Sequence, residues 1–115
     1  MLFRSQIAGG DLLVLDRGTG PFGGLVAMGG YKPRDAGTVE LLRMAVAPDE
    51  QGEGHGSRLL AALESRVREA GHGRIELETT ARQQRAMAFY PARGYAETGR
   101  RHADGYEVVR FEKSP

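Results

Sequence analysis

The chain has 115 residues, and its 16 basic and 15 acidic side chains give a net charge of +1, mixed along the length, so no tail or block argues for nucleic acid or an anionic membrane. It has no cysteine, which excludes disulfides, thiolate metal sites and a cysteine nucleophile and fits a reducing cytoplasm. No apolar run reaches transmembrane length and the N-terminus lacks a signal-peptide core, while His55, His72 and His102 are scattered without ligand spacing, so no metal is expected.

This length suits a single domain, residues 1–115, with one core. Its 17 glycines, about twice the usual share, imply many turns and short strands. Residues 1–10 carry little pattern. Residues 12–15 form a short apolar strand, followed by the turn-rich RGTGPFGG. Residues 25–31 are a second strand, and the two read as a hairpin. A turn with Pro33 and Asp35 leads to the central strand, 38–46, in which Glu40, Leu42, Met44 and Val46 share one face and Val39, Leu41, Arg43 and Ala45 the other. Apolar residues on both faces place it inside a sheet.

After Pro48 the pattern becomes a glycine loop and then a helix over residues 54–70, with Leu59, Leu60, Leu63, Val67 and Ala70 on one face and Gly71 as its stop. A strand at 74–80 follows. Strand, helix and strand in this order imply a right-handed crossover between parallel strands. A second helix spans 83–90, where Pro91 threatens the last turn. Two strands, 95–101 and 106–112, close the chain around the turn HADG. The sum is an α/β (α+β) fold: a mixed sheet with early antiparallel strands, a central parallel βαβ unit and a C-terminal hairpin.

The loop between the central strand and its helix carries the chemistry. Gly52, Gly54 and Gly56 alternate with Glu53 and His55 at a helix N-terminus, where N–H groups and the helix dipole favour a phosphate. A Walker-type loop fails, because Ser57 and Arg58 follow Gly56 where Lys-Ser/Thr is needed. A dinucleotide fingerprint is a near miss, with Ser57 in place of the third glycine. A third pattern, Q/R-x-x-G-x-G/A, is met by Gln51, Gly54 and Gly56.

With its strand and helix, this third pattern resembles the acyl-CoA-binding motif of the GCN5-related N-acetyltransferase (GNAT) family. RIELETTARQQRAMAFYPARGYAETGR resembles the family's next strand and helix, including A-x-x-x-Y-x-x-x-G-Y/F at Ala86, Tyr90, Gly94 and Tyr95. The resemblance extends over nearly everything from Asp11 on. It implies that the amides of Gln51, Gly52, Glu53, Gly54, His55 and Gly56 bind the pyrophosphate of acetyl-CoA, with Ser57 and Arg58 adding contacts. It also implies that two parallel strands splay beside the loop, where Met44, Ala45 and Val46 offer backbone groups to the pantetheine arm. Gln83 stands where the family often has an Asn that contacts the cofactor. Tyr90 matches the residue that protonates or hydrogen-bonds the departing thiolate. Glu40 is the first candidate base for the amine acceptor and Glu78 the second; the alternative for either is to face solvent or pair with Arg43 or Arg74.

The resemblance also exposes a departure. The chain starts near the family's second strand, without the usual first strand and first two helices that cover the sheet and shape the acceptor site. Apolar sheet surface is therefore expected to be exposed. Dimerisation through it is one remedy; a fragment or a late start codon is another account. Three readings stay open: an N-acetyltransferase with direct transfer to an amine, a non-catalytic acyl-CoA-binding domain, and a dinucleotide-binding fragment. The acceptor walls would include residues 18–24 and 101–105.

Overall fold

The structure, a computed structural model, describes residues 2–7, 10–16 and 24–115; most of the RGTGPFGG turn and the side chain of Arg43 lie outside the described residues. In chain order the elements are β1 Leu2–Ile7, β2 Gly10–Asp16, β3 Leu25–Asp35, β4 Thr38–Val46, a 3-10 turn Pro48–Glu50, α1 His55–Glu69, β5 Arg74–Thr80, α2 Gln84–Ala92, β6 Ala96–Ala103 and β7 Tyr106–Lys113. The strands form one sheet in the order β1-β2-β3-β4-β5-β7-β6. Only β4 and β5 run parallel, joined by the α1 crossover, while every other neighbouring pair is antiparallel. This is the mixed sheet with a central βαβ unit that the sequence implies.

Three elements differ from the sequence expectation. β1 forms where the pattern is silent, because Arg4, Ser5 and Gln6 interrupt alternation; it is specified by pairing with apolar β2, from Leu2↔Leu15 to Ile7↔Gly10. Only residues 8–9 lie between β1 and β2. β3 runs on through Pro33 to Asp35 instead of turning at Lys32. Its β2 partners end at Tyr31, so Pro33 sits where β3 is paired on the β4 side alone, and a missing N–H is tolerated there. α2 continues through Pro91 to Ala92.

Both helices lie on one face of the sheet. Leu59, Leu60, Leu63 and Val67 of α1 are fully buried against Leu13, Ala27, Tyr31, Val39 and Leu41. Burying each such side chain contributes roughly 1.5–3 kcal/mol relative to an exposed position. Ile75, Leu77, Val109 and Phe111 extend the same cluster beneath α2, where Tyr90 and Tyr95 join it. α1 ends as expected at Gly71: its N–H bonds the Arg68 carbonyl at 2.9 Å and the His72 N–H bonds that of Val67 at 3.1 Å. Glu64, buried on α1, accepts from the Tyr95 hydroxyl at 2.8 Å and from Lys113 Nζ at 3.1 Å, tying α1 to β7.

The opposite face carries no helix among the described residues. The expected apolar surface occupies only part of it. Val14 is buried, and Leu12, Met28 and Leu42 are half-buried. Toward β7 the face becomes a charged row, Lys32, Glu40, Glu76 and Glu112 in register. Among the described residues no helix is long and apolar enough to cross a membrane.

Candidate active site

β4 and β5 pair only from Thr38↔Arg74 to Glu40↔Glu76. Beyond that rung β4 runs on to Val46 and β5 to Thr80 without pairing, so the two parallel strands part. A bulge in β4 shapes the gap: Leu42 faces Gly30 and Ala45 faces Met28, so two residues of β4 stand against one of β3. The extra residue reverses the alternation. Met44 and Val46 pack against the core that holds Val39 and Leu41, whereas Glu40 and Leu42 face the other way. The shared face expected for Glu40, Leu42, Met44 and Val46 is thus corrected, because a strict period of two ends at the bulge.

The loop after β4 turns into α1 through Gly54, which holds φ at 82°, a left-handed conformation costly for a residue with a Cβ. The first intrahelical bond runs from the Arg58 N–H to the Gly54 carbonyl at 3.1 Å. The N–H groups of His55, Gly56 and Ser57 precede it and have no intrahelical acceptor. They are the donors an anion needs at the positive end of the helix dipole.

Gap and loop open into one cleft of about 1160 Å³, at the large end of small-molecule sites. It brings together Met44, Ala45, Val46, Gln51, Gly52, Gly54, His55, Gly56, Ser57, Gln83 and Tyr90. Glu53 does not line it, and neither does Glu40. Gln83 accepts a hydrogen bond from the Thr79 hydroxyl at 3.0 Å, and Gln51 donates from Nε2 to the Val46 carbonyl at 3.3 Å.

Tyr90 is held from three sides. Its ring meets Phe89 and Tyr95 edge to face at 5.1 and 5.5 Å and Phe111 at 6.1 Å. Burial pushes its hydroxyl pKa up to about 12, so the group stays protonated at neutral pH. No described residue hydrogen-bonds that hydroxyl, which leaves it as a donor in the cleft.

Sequence reasoning missed eight lining residues, among them Glu50, Arg82, Arg85, Phe89 and Arg93. Arg93 donates from Nε to the Ser57 hydroxyl at 2.6 Å and lies over the Phe89 ring at 3.9 Å. Arg85 donates to the Gln51 side-chain carbonyl. His55 Nε2 stands 3.4 Å from a Glu50 carboxylate oxygen. A signal was available. Arg82 and Arg85 bracket the start of α2, where a cation opposes the helix dipole and an anion would offset it.

The two candidate bases sit elsewhere. Val39 is in the core, so Glu40 points to the helix-free face, at the last rung before the strands part, 4.0 Å from Lys32 Nζ. Glu78 is held by Arg101 at 2.9 and 3.3 Å, with Arg110 at 3.7 Å. The Arg101 hydrogen bonds keep its carboxyl below the usual carboxylate range, which makes it a poor proton acceptor. Of the two pairing partners expected for these glutamates, Arg74 instead meets Glu112 at 3.3 Å, and the Arg43 side chain lies outside the described residues. Among the described residues no group of three or more potential ligands could hold a metal.

Comparison with known proteins accords with this geometry. A protein from Klebsiella pneumoniae assigned as an acyl-CoA N-acyltransferase superposes with a TM-score of 0.77 at 28% identity, covering 92% of this chain and 72% of that one. An IAA acetyltransferase from Bacillus cereus gives 0.79 at 18% identity over 93% of this chain and 79% of that one. A GNAT family acetyltransferase from Elizabethkingia anophelis, solved with acetyl-CoA bound, gives 0.78 at 16% identity over 93% and 77%. No curated protein matches the chain. The model of the acetyltransferase (GNAT) family matches residues 6–95, most of the chain: the chain belongs to the GNAT acetyltransferase family.

Proposed function

We propose that this chain is an N-acetyltransferase that moves an acetyl group from acetyl-CoA to an amine by direct transfer in a ternary complex. One observation carries the reading. The parting of β4 from β5 opens onto a cleft that also holds the free N–H groups of the 55–57 turn and the Tyr90 hydroxyl. Acetyl-CoA supplies the activated thioester. The loop amides bind its pyrophosphate, with Ser57 and Gln83 as further contacts, and the unpaired edge at Met44, Ala45 and Val46 receives the pantetheine amides as an added strand.

The amine attacks the thioester carbonyl carbon, the C–N bond forms and the C–S bond breaks, and the nitrogen loses a proton. Tyr90, with a pKa near 12, is a weaker acid than an alkyl thiol at about 8.5, so it stabilises the leaving thiolate by donating a hydrogen bond and keeps its own proton. Glu40, at the last rung before β4 and β5 part, is the proposed base, acting directly or through water.

A second reading, an acyl-CoA-binding domain without catalysis, is favoured by the placement of the carboxylates: Glu40 lies outside the cleft beside Lys32 and Glu78 is held by Arg101. Calorimetry with acetyl-CoA, using NAD as control, followed by coenzyme A release with a panel of amines, separates the two. Binding with release that falls in Tyr90→Phe supports the enzyme; binding with no release from any amine supports the module. NAD binding alone overturns both.

A further inference from the structure

Three guanidiniums line the cleft, and among the described residues none forms an ion pair. Elsewhere on the sheet Arg34, Arg74, Arg100, Arg101 and Arg110 each meet a glutamate. A guanidinium without a carboxylate in a concave site is open to an anion. Two of the three have other engagements: Arg93 bonds Ser57, and Arg82 lies over the Tyr106 ring at 5.0 Å. Arg85 is exposed and bound only to the neutral Gln51 amide, which itself donates to the Val46 carbonyl. Gln51 therefore links the end of β4 to α2 through two hydrogen bonds.

Resting on the acetyl-CoA reading above, we propose that Arg85 recognises the 3′-phosphate of coenzyme A, exchanging Gln51 for a phosphate oxygen as the cofactor binds. Coenzyme A carries two kinds of phosphate. The pyrophosphate is a diester bridge suited to a row of N–H donors. The 3′-phosphate is a monoester close to a dianion at neutral pH, which a forked guanidinium matches best. Arg85 bonds Gln51, the first residue of the glycine loop, four residues ahead of the first of the N–H groups assigned above to the pyrophosphate. The exchange has a second effect: a released Gln51 frees the Val46 carbonyl to pair with the pantetheine arm. The chain would then select free coenzyme A thioesters over acyl-pantetheine groups that lack this phosphate.

The test is calorimetry of acetyl-CoA and acetyl-3′-dephospho-CoA against the wild-type chain, Arg85→Ala and Arg85→Lys. The wild type is expected to prefer acetyl-CoA by about tenfold or more. Arg85→Ala loses that preference by weakening acetyl-CoA alone, and Arg85→Lys keeps part of it. If Arg85→Ala does not fold, Arg85→Gln, which keeps a polar side chain without the charge, makes the same comparison. A wild type that binds both ligands equally overturns the proposal while leaving the acetyl-CoA reading intact. Equal losses for both ligands in the variant also overturn it. A folded wild type that binds neither overturns the acetyl-CoA reading, and this proposal with it.

Discussion

Tyr95 donates its backbone N–H to the Tyr90 carbonyl at 3.1 Å, and the two rings meet edge to face at 5.5 Å. With the Gly94 N–H on the Pro91 carbonyl at 3.1 Å, this closes α2 with paired bonds back into its last turn. The pattern Ala86, Tyr90, Gly94, Tyr95 therefore has a mechanical meaning. Gly94 takes φ of 90° so that the chain can reverse, and the reversal stacks Tyr95 against Tyr90. Gly94→Ala is expected to cost about 1–2 kcal/mol through its left-handed backbone alone. Urea unfolding measures this; an unchanged midpoint would mean that the helix ends without that conformation.

Tyr90→Phe separates chemistry from binding. The ring and its three aromatic neighbours stay, and only the hydroxyl goes. Losing one hydrogen bond to a developing thiolate should lower kcat by about 10- to 100-fold, with the acetyl-CoA Kd little changed. Because burial holds the Tyr90 pKa near 12, the wild-type rate should show no alkaline limb from this group below pH 11. Steady-state kinetics with calorimetry on the same samples test both points, and unchanged kcat removes Tyr90 from the reaction.

The same burial makes stability depend on pH at the alkaline end. Tyr90 is raised from 10.0 to about 12 in the fold, and Tyr95 is raised further by burial and by the Glu64 carboxylate it bonds. For a group whose folded pKa exceeds its unfolded value, the stabilisation is complete below the unfolded pKa. It is lost as pH rises toward the folded one. Tyr90 thus contributes its full share below pH 10 and loses about 2–3 kcal/mol between pH 10 and 12. Chemical denaturation at pH 9 and 11.5 should show this decline, shallower in Tyr90→Phe. An equal decline in the variant assigns the effect to other residues.

Much of this was legible because the informative segments are locally self-consistent. α1 has one apolar face and a glycine at each end, so its span was read to within one residue. The Gln51, Gly54, Gly56 spacing was legible because a phosphate loop is built from consecutive backbone. What the sequence concealed was non-local. The β4 bulge depends on the register with β3 and reversed the faces of Met44 and Val46. β7 lies between β5 and β6, a placement set by pairing across the sheet. The cleft arginines sit on α2 or just beyond its ends, far in sequence from the loop, and only the fold brings Arg85 to Gln51 and Arg93 to Ser57.

Arg93 gives the remaining prediction, because its contacts join stability to binding. Its Nη1 donates to the Phe89 carbonyl at 3.0 Å, its Nε reaches Ser57 at the head of α1, and its own carbonyl accepts from Lys113 Nζ at 2.8 Å. Arg93→Ala removes the first two and leaves the third, which is a backbone contact. A charged hydrogen bond between partly buried groups is worth about 1.5–3 kcal/mol, so the unfolding free energy should fall by about that amount. The cleft also loses a cation near the N–H groups of the 55–57 turn, so acetyl-CoA should bind about tenfold more weakly, with the deficit shrinking as salt screens the wild-type interaction. Ser57→Ala is the control: it breaks the same bond but leaves the guanidinium in the cleft. If Ser57→Ala weakens acetyl-CoA as much as Arg93→Ala does, the Ser57 hydroxyl is the contact that matters and the charge of Arg93 is not. If only Arg93→Ala weakens it, the guanidinium itself belongs to the anion site.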